Sequence, residues 1–103
     1  MKLLIYGSNG WIGGQFLEII KKNKINVVCG KSRVDNTDDV ETEIASANPT
    51  HIVSFIGRTH GKIGDQVYKT IDYLEESGKL LDNVRDNLYG PMLLADICKK
   101  KKI

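Results

Sequence analysis

Short unbroken apolar runs alternate along this chain with stretches in which apolar residues recur every three or four positions. Lys2-Leu-Leu-Ile-Tyr6 is the first such run. Bounded by Gly7 and too short for a helix, it predicts a buried strand. From Trp11 to Lys22 the period lengthens: Ile12, Phe16, Ile19 and Ile20 fall at i, i+4, i+7 and i+8, one stripe of an α-helix. Lys21, Lys22 and Lys24 lie where a helix C-terminus favours cations. Ile25-Asn-Val-Val-Cys29 predicts a second strand, closed by Gly30. Thr37 or Asp38 is placed to cap a second helix whose face carries Val40, Ile44 and Ala47. Asn48-Pro49 ends it, because the residue before a proline is pushed out of helical geometry. Residues 51–56 read as a third strand and residues 57–64 as a glycine-rich loop. Residues 66–76 show neither period. From about Gly78 a long helix follows, with Leu81, Val84, Leu88, Leu94, Ile97 and Cys98 apolar and four lysines at its end.

An order of strand, helix, strand, helix, strand, loop, helix implies parallel strands with right-handed crossovers and helices on both faces. The expected fold class is therefore α/β, a Rossmann-like doubly wound parallel sheet truncated to about three strands. In that topology the third strand pairs beside the first, which leaves its far edge uncovered and open to self-association. The 103 residues are one small domain at most. With 41% of them hydrophobic and 27% charged, disordered and fibrous classes are excluded. A net charge of +2 is too weak to indicate a nucleic-acid partner, and Lys99 to Lys102 read as a solvated helix end. No apolar run approaches the ~20 residues that span a bilayer, so no membrane partner is expected. Cys29 and Cys98 have no metal spacing and follow no secretion signal. They are expected to be reduced thiols of a cytoplasmic protein.

Candidate chemistry is concentrated in Gly7-Ser-Asn-Gly10-Trp-Ile-Gly13, between the first strand and the first helix. Gly7 permits the tight turn, Gly10 lets the backbone approach a pyrophosphate, and Gly13 lets the helix pack on the strand. The helix N-terminus, with the amides of Trp11 and Ile12, then faces the phosphates. A strand before the motif and a helix after it supply the context that a bare glycine pattern lacks. An acid commonly ends the second strand of NAD-type sites, where it binds the ribose diol. Here Gly30-Lys31-Ser32-Arg33 stands there instead. Ser32 and Arg33 suit a ribose phosphate, so NADP(H) is favoured over NAD(H). The bland alternative is that Lys31 and Arg33 are solvated charges. Near the end of the chain, Pro91 has no N–H, so the carbonyl of Asn87, four residues earlier, loses its helical partner. That points either to a structural kink or to a group free to hold a water.

Taken together, the glycine spacing is similar to that of the extended short-chain dehydrogenase/reductases. Leu4-Ile-Tyr-Gly-Ser-Asn-Gly-Trp-Ile-Gly-Gly14 resembles the dTDP-4-dehydrorhamnose reductase branch, and most of all the bifunctional 3,5-epimerase/4-reductases of nucleotide-linked L-rhamnose synthesis. Residues 49–61, Asp86-Asn-Leu-Tyr-Gly-Pro91 and Leu94-Ala-Asp-Ile-Cys98 resemble the same branch, in order. The resemblance implies the N-terminal part of a cofactor-binding domain within an NADPH-dependent reductase of a nucleotide-linked 6-deoxy-4-keto sugar. It would place Ile56 and Gly57 at the cofactor ribose, Thr59 and His60 toward the nicotinamide or sugar, and Asn87 in a proton relay. Ser54-Phe55-Ile56 departs from the Asn-Ala-Ala of many relatives. The family's Tyr-x-x-x-Lys pair does not occur: Tyr6, Tyr68, Tyr73 and Tyr89 are followed four residues on by Gly10, Asp72, Ser77 and Leu93. No catalytic residue is therefore assigned, and the sugar-binding remainder is expected to lie outside residues 1–103. The competing class is a complete, non-catalytic nucleotide-binding or subunit-interaction module. No metal site is expected.

Overall fold

Leu3, Leu4, Ile5 and Tyr6 are all buried, and their strand, β1 (Lys2–Tyr6), is the central strand of the sheet. The structure is a computed structural model that describes every residue from Met1 to Ile103. A strand apolar on both faces needs cover on both, which is what a parallel sheet flanked by helices provides. After β1 come α1 (Trp11–Lys22), β2 (Asn26–Cys29), α2 (Thr37–Ala47) and β3 (His51–Ser54). The three strands are parallel in the order β2-β1-β3, with Leu4 opposite Val28 on one side and Ile52 on the other. On one face Ile20 of α1 packs with Leu3 and Ile5. On the other, Val40, Ile44 and Ala47 of α2 close around Leu4 and Tyr6. This is the doubly wound α/β arrangement.

Beyond β3 the chain departs from the sequence reading. Residues 57–64 are not all loop: β4 (Gly61–Ile63) pairs antiparallel with β5 (Gln66–Tyr68) in a separate hairpin. A four-residue helix follows, α3 (Asp72–Glu75), whose Tyr73 is buried beside the hairpin and 6.4 Å from the Tyr68 ring. Three-residue strands carry too few positions for a period to register. The long helix expected from Gly78 is in fact α4 (Leu80–Val84), a π-helical turn (Arg85–Tyr89) and α5 (Gly90–Lys101). In the π turn the Gly90 amide donates to the Arg85 carbonyl, five residues back. Pro91 has no amide to continue the ordinary ladder, so the break falls just before it. Leu94 and Ile97 of α5 join the core with α2, whereas Leu81 is 80% exposed and Val84 and Leu88 are exposed too.

Three smaller corrections have simple causes. The cap of α2 is Asn36, not Thr37 or Asp38, its side chain accepting from the Asp39 amide at 3.2 Å. β3 ends at Ser54 rather than at residue 56, because its partner β1 stops at Tyr6. The buried side of α1 runs through Gly13, Phe16, Leu17 and Ile20, while Ile12 and Ile19 are 61% and 58% exposed. Gly13 sets that rotation, since it lies against the Gly7 carbonyl. Both cysteines are free and half-buried. No helix is long and apolar enough to cross a membrane.

Candidate functional site

The turn between β1 and α1 is built by glycines with different jobs. Gly7 sits at φ +81°, and a side chain there would come within 2.8 Å of the Phe55 backbone. A Cβ on Gly13 would collide with the Gly7 carbonyl, so strand and helix meet backbone to backbone. Gly10 is different: an added Cβ would find nothing nearer than 3.5 Å, so packing does not require glycine there. Gly10 caps α1 without any side-chain bond, and the first intrahelical bond runs from the Gly14 amide to the Gly10 carbonyl at 2.8 Å. The amides of Trp11, Ile12 and Gly13 therefore have no intrahelical acceptor. Only backbone is offered here, since the Trp11 side chain is 83% exposed and Ile12 also faces outward.

Gly7 and Gly10 form one wall of a cavity of about 310 Å³ at the carboxyl ends of β1 and β3. Of the residues expected from sequence, Ser32, Arg33, Ile56 and Gly57 also line it. Trp11, Ile12 and Gly13 are not among its lining residues. Thr59 and His60 are outside the cavity and exposed, with Thr59 Oγ1 3.3 Å from His60 Nδ1. Asn87 is also outside it, but it holds the loop that is inside. Its Oδ1 accepts from the Arg58 amide at 2.8 Å and its Nδ2 donates to the Arg58 carbonyl at 3.0 Å. The helix break expected at Asn87 is real, and the side chain serves as a clamp on Arg58.

Ser32 is placed as expected but is committed elsewhere. Its hydroxyl donates to the Asp39 carbonyl at 3.2 Å, and its amide donates to Glu43 Oε1 at 3.3 Å. Glu43 Oε2 also accepts from the Lys31 amide at 2.8 Å. Burial pushes the Glu43 carboxyl up, but the donors around it, led by the Lys31 amide, pull it below its ordinary value. Glu43 thus ties the end of β2 to α2, and Ser32 keeps only lone pairs for the cavity.

Sequence spacing does not announce the remaining wall, where Asp35, Arg58, Arg85 and Asp86 join Arg33. Asp86 is only 12% exposed and is surrounded by guanidinium groups. Arg85 grips it with two nitrogens at 2.9 and 3.2 Å. Arg58 Nε lies 3.3 Å away and Arg33 Nη2 3.5 Å away. Arg85 first, then Arg58 and Arg33, hold the Asp86 carboxyl below its ordinary value, against the opposing effect of burial. Arg33 also pairs with Asp35 at 3.1 Å. The cluster draws on three separate segments of the chain, which no local pattern connects. Its signal in the sequence is Arg33 after the second strand, and nothing local links that residue to Arg58, Arg85 or Asp86.

A backbone cradle at one end and excess positive charge at the other can hold an elongated, multiply phosphorylated ligand. No protein-family model matches the chain. It is 52% identical over all 103 residues to protein L780 of Acanthamoeba polyphaga mimivirus. The crystal structure of the L780 UDP-rhamnose synthase superposes on the whole chain with a TM-score of 0.92. An Arabidopsis thaliana bifunctional dTDP-4-dehydrorhamnose 3,5-epimerase/dTDP-4-dehydrorhamnose reductase is 31% identical over 98 residues, 95% of this chain and 30% of that protein. UDP-glucose 4-epimerase from Thermus thermophilus, crystallised with NAD, shares the fold at a TM-score of 0.74 and 19% identity, over 97% of this chain and 34% of that one. The chain spans 34% of the length of L780. It is a Rossmann-type α/β chain, related in sequence to proteins of rhamnose synthesis and matching about a third of L780.

Proposed function

We propose that the chain is the NADP(H)-binding portion of an oxidoreductase that reduces the 4-keto group of a nucleotide-linked 6-deoxy-4-keto sugar. What carries this reading is one cavity that joins the glycine turn to an arginine-bearing wall at the end of β2. A dinucleotide carries a diphosphate between two ribosides, and the two walls offer the amide donors and the guanidinium groups that such a ligand needs. The free amides of α1 would take the diphosphate, and Gly10, open to an added Cβ, would allow its close approach. Arg33 would face the adenosine phosphate, with Ile56 and Gly57 beside the ribose. The bound nicotinamide supplies hydride for carbonyl reduction. The sugar class is supported by the relatives of rhamnose synthesis, and the reductase role rests on the bifunctional relative.

Titration with both cofactors tests the reading. NADPH is expected to bind more tightly than NADH, and Arg33→Ala to narrow the difference. Equal affinities that Arg33→Ala leaves unchanged would overturn the NADP(H) assignment.

A further inference from the structure

The cavity wall holds three arginines, but they are not equally free. Arg85 uses Nε and Nη2 on Asp86 and Nη1 on Asp82, so every nitrogen of its guanidinium is engaged within the chain. Arg33 places Nε on Asp35 and Nη2 between Asp35 and Asp86, which leaves Nη1. Arg58 touches Asp86 through Nε alone. Its two terminal nitrogens make no hydrogen bond or ion pair with the chain, and its side chain is partly exposed at the cavity. Ser32 has already given its proton to Asp39. Most of the uncommitted donor capacity on this wall therefore belongs to Arg58.

Arg58 is also held in place from two directions. Asn87 fixes both of its backbone polar groups, and Asp86 fixes the root of its guanidinium. Consecutive residues of an α-helix point about 100° apart. The wider π turn at Arg85–Tyr89 carries both residues that grip Arg58, and such turns recur at functional sites. A guanidinium anchored at Nε presents Nη1 and Nη2 as a parallel pair, the geometry that binds two oxygens of one phosphate. Three arginines and two acids, Asp35 and Asp86, line the wall, and Asp82, which pairs with both Lys79 and Arg85, offsets Arg85 from behind.

We propose that Arg58, positioned by Asp86 and Asn87, is the principal specificity residue for the phosphomonoester on the adenosine ribose, with Arg33 as its partner. This rests on the NADP(H) reading above and assigns its discrimination to a residue of the β3–β4 loop. A ribose phosphate is close to a dianion at neutral pH and fits two converging guanidinium groups. Asp86 keeps the arginines apart and oriented while no phosphate is present.

The test is the dissociation constants of NADPH and NADH for the unaltered chain, Arg33→Ala, Arg58→Ala and Arg58→Lys. Arg58→Ala is expected to lower the NADPH-to-NADH preference by about tenfold, the scale of a lost charge-assisted hydrogen bond. Arg58→Lys should recover only part of it, because an ammonium lacks the paired donors. The lysine variant keeps a cation near Asp86 and serves equally if the alanine variant does not fold. Equal weakening of both cofactors would put Arg58 on the diphosphate and overturn the proposal. A preference lowered by Arg33→Ala but untouched by either Arg58 variant would overturn it and leave the NADP(H) reading standing. An unaltered chain with no preference for NADPH would overturn both.

Discussion

Gly10 and Gly13 occupy the same seven-residue motif, yet their surroundings differ. Gly13 is a packing residue: its backbone lies against the Gly7 carbonyl, where a Cβ cannot fit. Gly10 has room for a side chain, so nothing within the chain calls for glycine there. Gly13→Ala is therefore expected to destabilise the fold by about 1–3 kcal/mol, the range for forcing extra atoms into a packed site. Gly10→Ala should melt within a few degrees of the unaltered chain but bind NADPH at least tenfold more weakly, as the added methyl blocks the approach of the diphosphate. Thermal melts alongside cofactor titration separate the two. A Gly10→Ala chain that bound normally would remove the ligand from the account of this turn. Both roles are legible in the spacing. Their separation is not, since it depends on which backbone atoms lie opposite each glycine.

At the scale of elements, the sequence is informative where hydrophobic residues repeat. β1, α1 and α2 fall where their periods place them, and β2 and β3 lie inside their expected runs. The region between residues 57 and 90 escapes a periodicity reading because its organisation is tertiary. The β4–β5 hairpin packs around Tyr73, and a Cβ on Gly61 would strike that ring at 2.6 Å. The π turn follows from Pro91, which the sequence marks as a break. What the break accomplishes is hidden, because Asn87 meets Arg58 twenty-nine residues away. Asn87 is largely exposed, so Asn87→Ala is expected to cost only about 1 kcal/mol for the bonds it loses. The larger effect should be local. The Arg58 amide, now bonded to Asn87 Oδ1, should exchange its hydrogen much faster in the variant while the β1 amides keep their protection. Unchanged exchange at Arg58 would show that the loop is held by other contacts.

At the scale of the whole molecule, the chain is a slab measuring 42 × 31 × 16 Å. Its radius of gyration, 15.0 Å, exceeds the roughly 13 Å expected of 100 compactly folded residues. Only 14 residues are buried, and the two core clusters are separated by a three-stranded sheet. Leu81, Val84 and Leu88, apolar positions of the helix expected from Gly78, remain exposed, as do Leu80 and Met92 nearby. The outer edge of β3 is unpaired, and Ile52, Leu94 and Cys98 line a shallow apolar groove beside it. The strand has no proline and no lysine, arginine or acidic side chain to blunt its edge. An unblunted edge of this kind pairs readily with another chain, and a thin core gives little stability to resist it. The 103-residue chain is therefore expected to self-associate as concentration rises. Light scattering over a concentration series should show an increasing mean mass. Ile52→Lys, which puts a charge beside the groove, should reduce it, because edge lysines oppose strand addition. A chain that stayed monomeric at millimolar concentration would mean that the short length of β3 is protection enough.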